Sequence, residues 1–209
     1  MLDNIKVFRH NSIKFLNEKI YFDPFKIEDE EKDANIIFVT HSHYDHFSEE
    51  DIMKIKNENT KIVVTTDLEE RCLNLGFKDE NIIVVTPNEK HQINEIKFET
   101  VKAYNINKKF HPKENNWVGY VVEINNKKYY IAGDTDITEE NKKVKCDVAF
   151  VPVGGTYTMN SKEAAEFINE IKPRVAVPIH YGEVVGEKQD AIDFVNRVSK
   201  DIKCEILIK

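Results

Sequence analysis

The stretch Ile36-Ile37-Phe38-Val39-Thr40-His41-Ser42-His43-Tyr44-Asp45-His46 decides how this chain is read. Its first four residues form a continuous apolar run of strand length, the pattern of a strand covered on both faces. The run stops at Thr40 and gives way at once to three imidazoles and a carboxylate. Neutral nitrogen and anionic oxygen donors at this density suit zinc and similar divalent ions. The plain alternative is a helix-capping loop with solvated histidines, but packing four such groups there serves no core. A shuffled chain of this composition shows H-x-H-x-D-H about once in two thousand trials. The spacing therefore predicts a buried strand that delivers His41, His43, Asp45 and His46 as metal ligands.

Upstream, apolar residues alternate at period two over 5–8, 13–16 and 20–22, which predicts half-buried antiparallel strands. The acidic segment 28–33 reads as a solvated face. Downstream, Ser48 followed by Glu49, Glu50 and Asp51 reads as a helix N-cap with acids in the first turn. Residues 61–65 form a strand, Asp67 caps a second helix ending at Gly76, and 81–85 form a strand closed by Pro87. Long alternating strands follow at 96–101, 118–124 and 129–132, with Asn125-Asn126 as a hairpin turn. His91 falls on a polar strand edge. A buried strand at 147–153 precedes a helix capped by Ser161 and stopped by Pro173. Residues 174–179 make a strand ending at His180, 189–199 a helix, and 204–208 the last strand. Meanders thus alternate twice with β-α-β units, and no linker or repeat interrupts residues 1–209. The expectation is a single α/β domain, two mixed sheets flanked by helices in a four-layer αβ/βα sandwich.

Composition narrows the function classes. The 209 residues carry a formal charge of −7, from 37 acidic and 30 basic side chains. That balance argues against non-specific nucleic-acid binding and against adhesion to an anionic membrane, and for a small-molecule substrate. A phosphate group on that substrate remains compatible with a local positive site such as a metal. The three cysteines, Cys72, Cys146 and Cys204, form no C-x-x-C pair and suggest no disulfide framework. Neither a secretory signal nor an apolar run of roughly 20 residues occurs, so no membrane span is expected and the cytoplasm is the expected compartment. The sequence fixes no oligomeric state.

With these residues in view, the chain resembles the metallo-β-lactamase superfamily, whose signature is the same H-x-H-x-D-H loop. The likeness extends over nearly the whole chain. Ile20-Tyr21-Phe22-Asp23-Pro24-Phe25 resembles the I-x-x-D-P-F of its hydrolase branches. Gly133-Asp134-Thr135 resembles its G-D-T element, and Pro178-Ile179-His180-Tyr181 its P-x-H-Y. Within the superfamily the chain looks most like the branch of ascorbate-6-phosphate lactonase and N-acyl-phosphatidylethanolamine phospholipase D. The helix opening Ser161-Lys162-Glu163-Ala164-Ala165 shares in that likeness. The resemblance implies the metallo-β-lactamase fold and two divalent ions, zinc first and manganese or iron as alternatives. It assigns His41 and His43 to a first ion, Asp45, His46 and His180 to a second, and Asp134 to both. On the residues alone, Asp134 and His180 sit where strands end, as His41 does, and ligands gather at such ends of α/β sheets.

One position departs from the pattern. The family places a third histidine for the first ion in the loop after Val101, and here Asn105 stands there. An amide oxygen is a poor zinc ligand beside imidazole. Three outcomes are open: His111 supplies the nitrogen from further along the loop, Asn105 ligates through oxygen, or the first ion is weakly held or absent. Asp23 and His10 are candidates to line the pocket or orient ligands, since metal-bound imidazoles usually donate their other N–H to a carboxylate or carbonyl. Lys113 and Tyr181 are weaker candidates to face an anionic substrate.

The expected activity is metal-dependent hydrolysis of an ester-type bond, a phosphodiester or a lactone, by a metal-activated water. Asp45 and Asp134 are the carboxylates nearest that chemistry, with Asp45 or a second water to move the proton. Two other readings stand beside it: an iron-dependent redox enzyme on the same scaffold, and a non-catalytic metal-binding module with a weakened first site.

Overall fold

The computed structural model describes residues 2–208, which divide into two compact units, 2–85 with Ile208 and 86–207. The first unit holds a six-stranded sheet in the order β1-β2-β3-β4-β5-β6. The strands are β1 (Ile5–Val7), β2 (Ile13–Phe15), β3 (Ile20–Phe22), β4 (Ile36–Phe38), β5 (Lys61–Thr65) and β6 (Ile82–Val85). β1 to β3 form the antiparallel meander that the alternation predicted, but β2 and β3 are buried on both faces rather than half-buried, and β3 to β6 pair in parallel. Parallel strands need crossovers, supplied for β5 by α1 (Glu49–Ile55) and for β6 by α2 (Glu69–Asn74). Ile52, Ile55, Leu68 and Cys72 bury against Ile37, Val39, Ile62 and Val64 in one core. Ser48 caps α1 as expected, its side-chain oxygen accepting from Asp51 N–H at 3.3 Å.

The second unit holds a seven-stranded sheet in the order β13-β12-β11-β10-β9-β8-β7. Its strands are β7 (Lys90–Ile93), β8 (Ile96–Lys102), β9 (Val118–Ile124), β10 (Lys127–Ile131), β11 (Val148–Pro152), β12 (Val175–Ile179) and β13 (Lys203–Cys204). β7 to β10 are an antiparallel meander, and β10 to β13 run parallel. Asn125 and Asn126 both adopt positive φ, the conformation of a tight hairpin turn. The helices are α3 (Ser161–Ile171) and α4 (Lys188–Arg197). α3 buries Ala164, Ala165, Phe167, Ile168 and Ile171, and Phe167 meets the Tyr130 ring edge-on. The fold is thus two mixed sheets flanked by helices, as read from the sequence.

Several local expectations are corrected. Asn160, not Ser161, caps α3: its side chain accepts from Glu163 N–H while Glu163 reaches back to Asn160 N–H, both at 2.9 Å. Asp67 does not cap α2 but sits inside a short 3-10 turn, Thr66–Leu68, where it accepts from the Thr65 hydroxyl. The last strand is only Lys203–Cys204, because pairing with β12 ends at Ala176. The 28–33 segment is not simply solvated. Glu31 and Asp33 both accept from Lys14, a lysine buried in β2, and the Tyr21 hydroxyl donates to Asp33 at 2.6 Å. No helix among the described residues is long and apolar enough to cross a membrane.

Candidate functional site

In the first unit, β4 delivers the motif as the sequence implies. The strand ends at Phe38, Val39 N–H still donates to Val63 O, and the chain then turns through 41–46. His46 and Phe47 N–H groups both donate to His43 O, so the loop closes on itself. The Arg71 guanidinium lies over the Phe47 ring and donates to Ser42 O, holding the loop from α2.

Asp23 organises the imidazoles. It sits just after β3 at positive φ and is fully buried. Its Oδ1 accepts from Thr40 N–H, and its Oδ2 accepts from the Thr40 hydroxyl, each at 2.8 Å. The same Oδ2 lies 2.8 Å from His46 Nδ1. A carboxylate only accepts, so His46 carries its proton on Nδ1 and leaves Nε2 as a donor atom for a cation. The Thr40 hydroxyl has spent its proton on Asp23 and lies 3.0 Å from His41 Nδ1, so it accepts there. His41 is thereby protonated on Nδ1 as well, and its Nε2 faces His43 Nδ1 at 3.0 Å. Asp45 Oδ2 lies 3.7 Å from His46 Nε2 and 3.0 Å from His10 Nε2. His10, buried and at positive φ in the turn between β1 and β2, thus lies against Asp45.

In the second unit, Asp134 follows β10, and His180 follows β12 at positive φ. His180 Nε2 stands 3.0 Å from Asp134 Oδ2, and His111 Nε2 stands 3.2 Å from that same oxygen. Of the three outcomes open for the 103–111 loop, the geometry brings His111 to Asp134. Asn105 turns its side chain to His111, whose backbone N–H and ring Nδ1 lie 3.1 and 3.0 Å from Asn105 Oδ1. Lys113 instead donates to Glu140 and to the Tyr104 hydroxyl, and Tyr181 is buried. Removal from water pushes the Tyr181 hydroxyl up to about 12, so it stays protonated at neutral pH.

The donor set fits a metal. Adjacent ligand atoms on a tetrahedral zinc with Zn–N bonds of 2.0–2.1 Å lie roughly 3.3 Å apart. The pairs His41–His43, His111–Asp134 and His180–Asp134, at 3.0–3.2 Å, and His46–Asp45, at 3.7 Å, bracket that value. His46 Nε2 and Asp45 Oδ2 are both acceptors, and two acceptors at such range repel unless positive charge joins them.

Sequence reasoning missed three contributors. Asn11 lays its buried side-chain nitrogen against the His46 ring, 3.4 Å from Nε2, the ring atom able to accept it, and its position beside His10 was the only available signal. Thr40 looked like a strand end but relays Asp23 to His41. Asp136 pins the 106–108 loop, accepting from Ile106 N–H at 2.9 Å and from Lys108.

Comparison with known proteins agrees with these features. Residues 4–180 match the family model of the beta-lactamase superfamily domain. A UPF0173 metal-dependent hydrolase of Thermococcus onnurineus is 29% identical, covering 92% of this chain and 89% of that protein. Another, SSO0099 of Saccharolobus solfataricus, is 32% identical over 84% of this chain and 78% of its own length. A crystallised protein of Parabacteroides distasonis ATCC 8503 superposes with a TM-score of 0.84 at 28% identity, over 98% of this chain and 93% of that one. This chain belongs to the beta-lactamase superfamily and is one of its metal-dependent hydrolases.

Proposed function

We propose that this enzyme hydrolyses an ester-type bond in a small, phosphate-bearing substrate, a phosphodiester or a phosphorylated lactone, using two divalent ions. The residues proposed as ligands are His41, His43, Asp45, His46, Asp134 and His180, with His111 added because it lies beside Asp134. Zinc suits these nitrogen and oxygen donors, and manganese or iron would be accepted by the same atoms. The observation that carries the reading is the meeting of His111 Nε2 and His180 Nε2 on one oxygen of Asp134, at 3.2 and 3.0 Å. Likeness to the branch containing ascorbate-6-phosphate lactonase and the phosphatidylethanolamine phospholipase supports the choice of bond. The acidic charge balance supports a small substrate over nucleic acid. We place the enzyme in the cytoplasm on its three cysteines, none of which is paired in a disulfide.

Bound divalent ions would supply a water acidified to near neutral pH and an electrophile with a polarised oxygen. The chain's own contribution is placement. Asp23 holds His46 directly and His41 through Thr40, so both rings present Nε2 without reorganising. Asp45 holds a carboxylate oxygen 3.0 Å from His10 Nε2, and would be the group that moves a proton during hydrolysis.

The test is turnover of a panel of phosphodiesters and lactones by chelator-stripped protein, with and without Zn2+ or Mn2+. Activity that returns only with metal supports the reading, and hydrolysis that persists in metal-free protein overturns it. Stoichiometric iron in protein as isolated, with turnover that requires oxygen, would replace it by the redox reading.

A further inference from the structure

We infer that Asn105 is a positioning residue that sets the tautomer of His111 and so aims its Nε2 at the metal. The inference rests on the ligand role proposed above for His111. It starts from the amide's other end. Asn105 Nδ2 donates to Tyr157 O at 2.9 Å. A carbonyl only accepts, so the amide cannot be turned over, and Oδ1 must be the atom that faces His111. Oδ1 in turn has no proton to give. His111 Nδ1, 3.0 Å away, must therefore carry one, and the backbone N–H of His111 donates to the same oxygen at 3.1 Å. A neutral imidazole holds a single ring proton. In the neutral ring that a metal requires, the proton on Nδ1 leaves Nε2 unprotonated, 3.2 Å from Asp134 Oδ2.

This pairing also shows why Asn105 is not itself a ligand: both lone pairs of its oxygen are engaged by His111. The loop is closed to keep the pair together. Asn105 N–H donates to His111 O at 2.8 Å, and the Phe110 ring packs edge-on against Tyr157, with centroids 4.6 Å apart. The residue type is demanded by the two contacts together. One end must accept from an imidazole while the other donates to a carbonyl, which an amide does and a carboxylate does not. An aspartate here would set an acceptor against Tyr157 O. His46 is held differently, by the full charge of Asp23. His111 therefore has the less electron-rich support of the two rings, since a charged partner raises ligand basicity more than a neutral one.

The experiment uses full-length protein loaded with Zn2+. Long-range 1H–15N NMR reads the ring nitrogens, and competition with chelators of graded strength reads affinity. In wild type, His111 is expected to show a protonated Nδ1 and a zinc-bound Nε2. Asn105→Ala should lose that signature and hold the His111-side zinc about 10–100-fold more weakly. Asn105→Asp should fail to restore it, because of Tyr157 O. His111→Ala should lose that zinc altogether. If His111→Ala keeps wild-type zinc stoichiometry, His111 is not a ligand and both the ligand reading and this inference fall. If His111→Ala loses the zinc but Asn105→Ala keeps wild-type affinity and signature, the inference alone falls. Should Asn105→Ala fold poorly, wild type still decides, because an unprotonated Nδ1 on His111 overturns the proposal by itself.

Discussion

Asp23 Oδ2 lies 2.8 Å from His46 Nδ1, with both side chains wholly buried. The same carboxylate accepts from the Thr40 hydroxyl and backbone, and through that hydroxyl it reaches His41. One residue before the motif thus fixes two of the motif's three imidazoles. Replacing it should weaken metal binding about 10–100-fold, the usual cost of losing such a partner. Asp23→Asn should be nearly as damaging as Asp23→Ala, because its NH2 group would face either the Thr40 or the His46 donor. Chelator competition on the purified variants measures this. Wild-type affinity in Asp23→Asn would show that the charge and both acceptor atoms are dispensable.

How far this was legible in sequence follows from the range of each interaction. The strand–motif unit 36–46 is local, and a continuous apolar run followed by four donors is hard to read otherwise. Asp23 was visible as a candidate through the Asp23-Pro24 turn. The part played by Thr40 was not, because a threonine at the end of a strand has the same propensity whether or not its hydroxyl links a carboxylate to an imidazole. Asn105 and His111 could be named but not sorted. What sorts them is Tyr157 O, fifty-two residues downstream of Asn105, which fixes which end of the amide faces the ring. The acidic segment 28–33 misled for the same reason: composition alone marks it as solvated, but Glu31 and Asp33 accept from Lys14 in β2.

That buried lysine gives a pH dependence. Burial works to raise the Asp33 carboxyl, but the Tyr21 hydroxyl and the Lys14 ammonium outweigh it and hold it below its ordinary value of 3.8. The folded state therefore binds this proton less readily than the unfolded chain does. Its stabilisation is fully present above about pH 5 and is lost as pH falls through the depressed folded value. Asp33→Asn should lower stability by about 1–3 kcal/mol near neutrality, since Lys14 stays buried with Glu31 as its remaining anion. The gap between wild type and variant in urea unfolding should narrow below pH 4. A gap that stays constant from pH 6 to pH 2.5 would show that the pairing is not electrostatic.

The cap of α3 separates two adjacent residues. Asn160 accepts from Glu163 N–H, and Glu163 answers at Asn160 N–H, whereas Ser161 is already the first helical residue. Asn160→Ala should cost about 1 kcal/mol, the usual price of a lost cap. Ser161→Ala should be near neutral. Thermal melts of the two variants side by side decide it, and the reverse order would return the cap to Ser161.

Gly154 governs where His180 stands. Val153 N–H donates to Ile179 O at 3.1 Å as β11 and β12 run out, which draws the next residues close together. A Cβ added at Gly154 would sit 2.4 Å from His180 O and 2.9 Å from Val185 Cγ1. The valine tip can rotate aside, but the carbonyl is backbone and cannot yield without moving its residue. His180 is already held at positive φ, so little freedom remains to absorb the push. Gly154→Ala should therefore displace the imidazole from Asp134, now 3.0 Å away, by several tenths of an ångström or more. A misplacement of this order is enough to cost about 100-fold in rate when it reaches a reacting group. The measurement is kcat against metal content in the same preparation, with melting temperature as the control for folding. Equal turnover and equal metal content in Gly154→Ala would mean that the His180 backbone is free to shift, and that its position is set from the side-chain end instead.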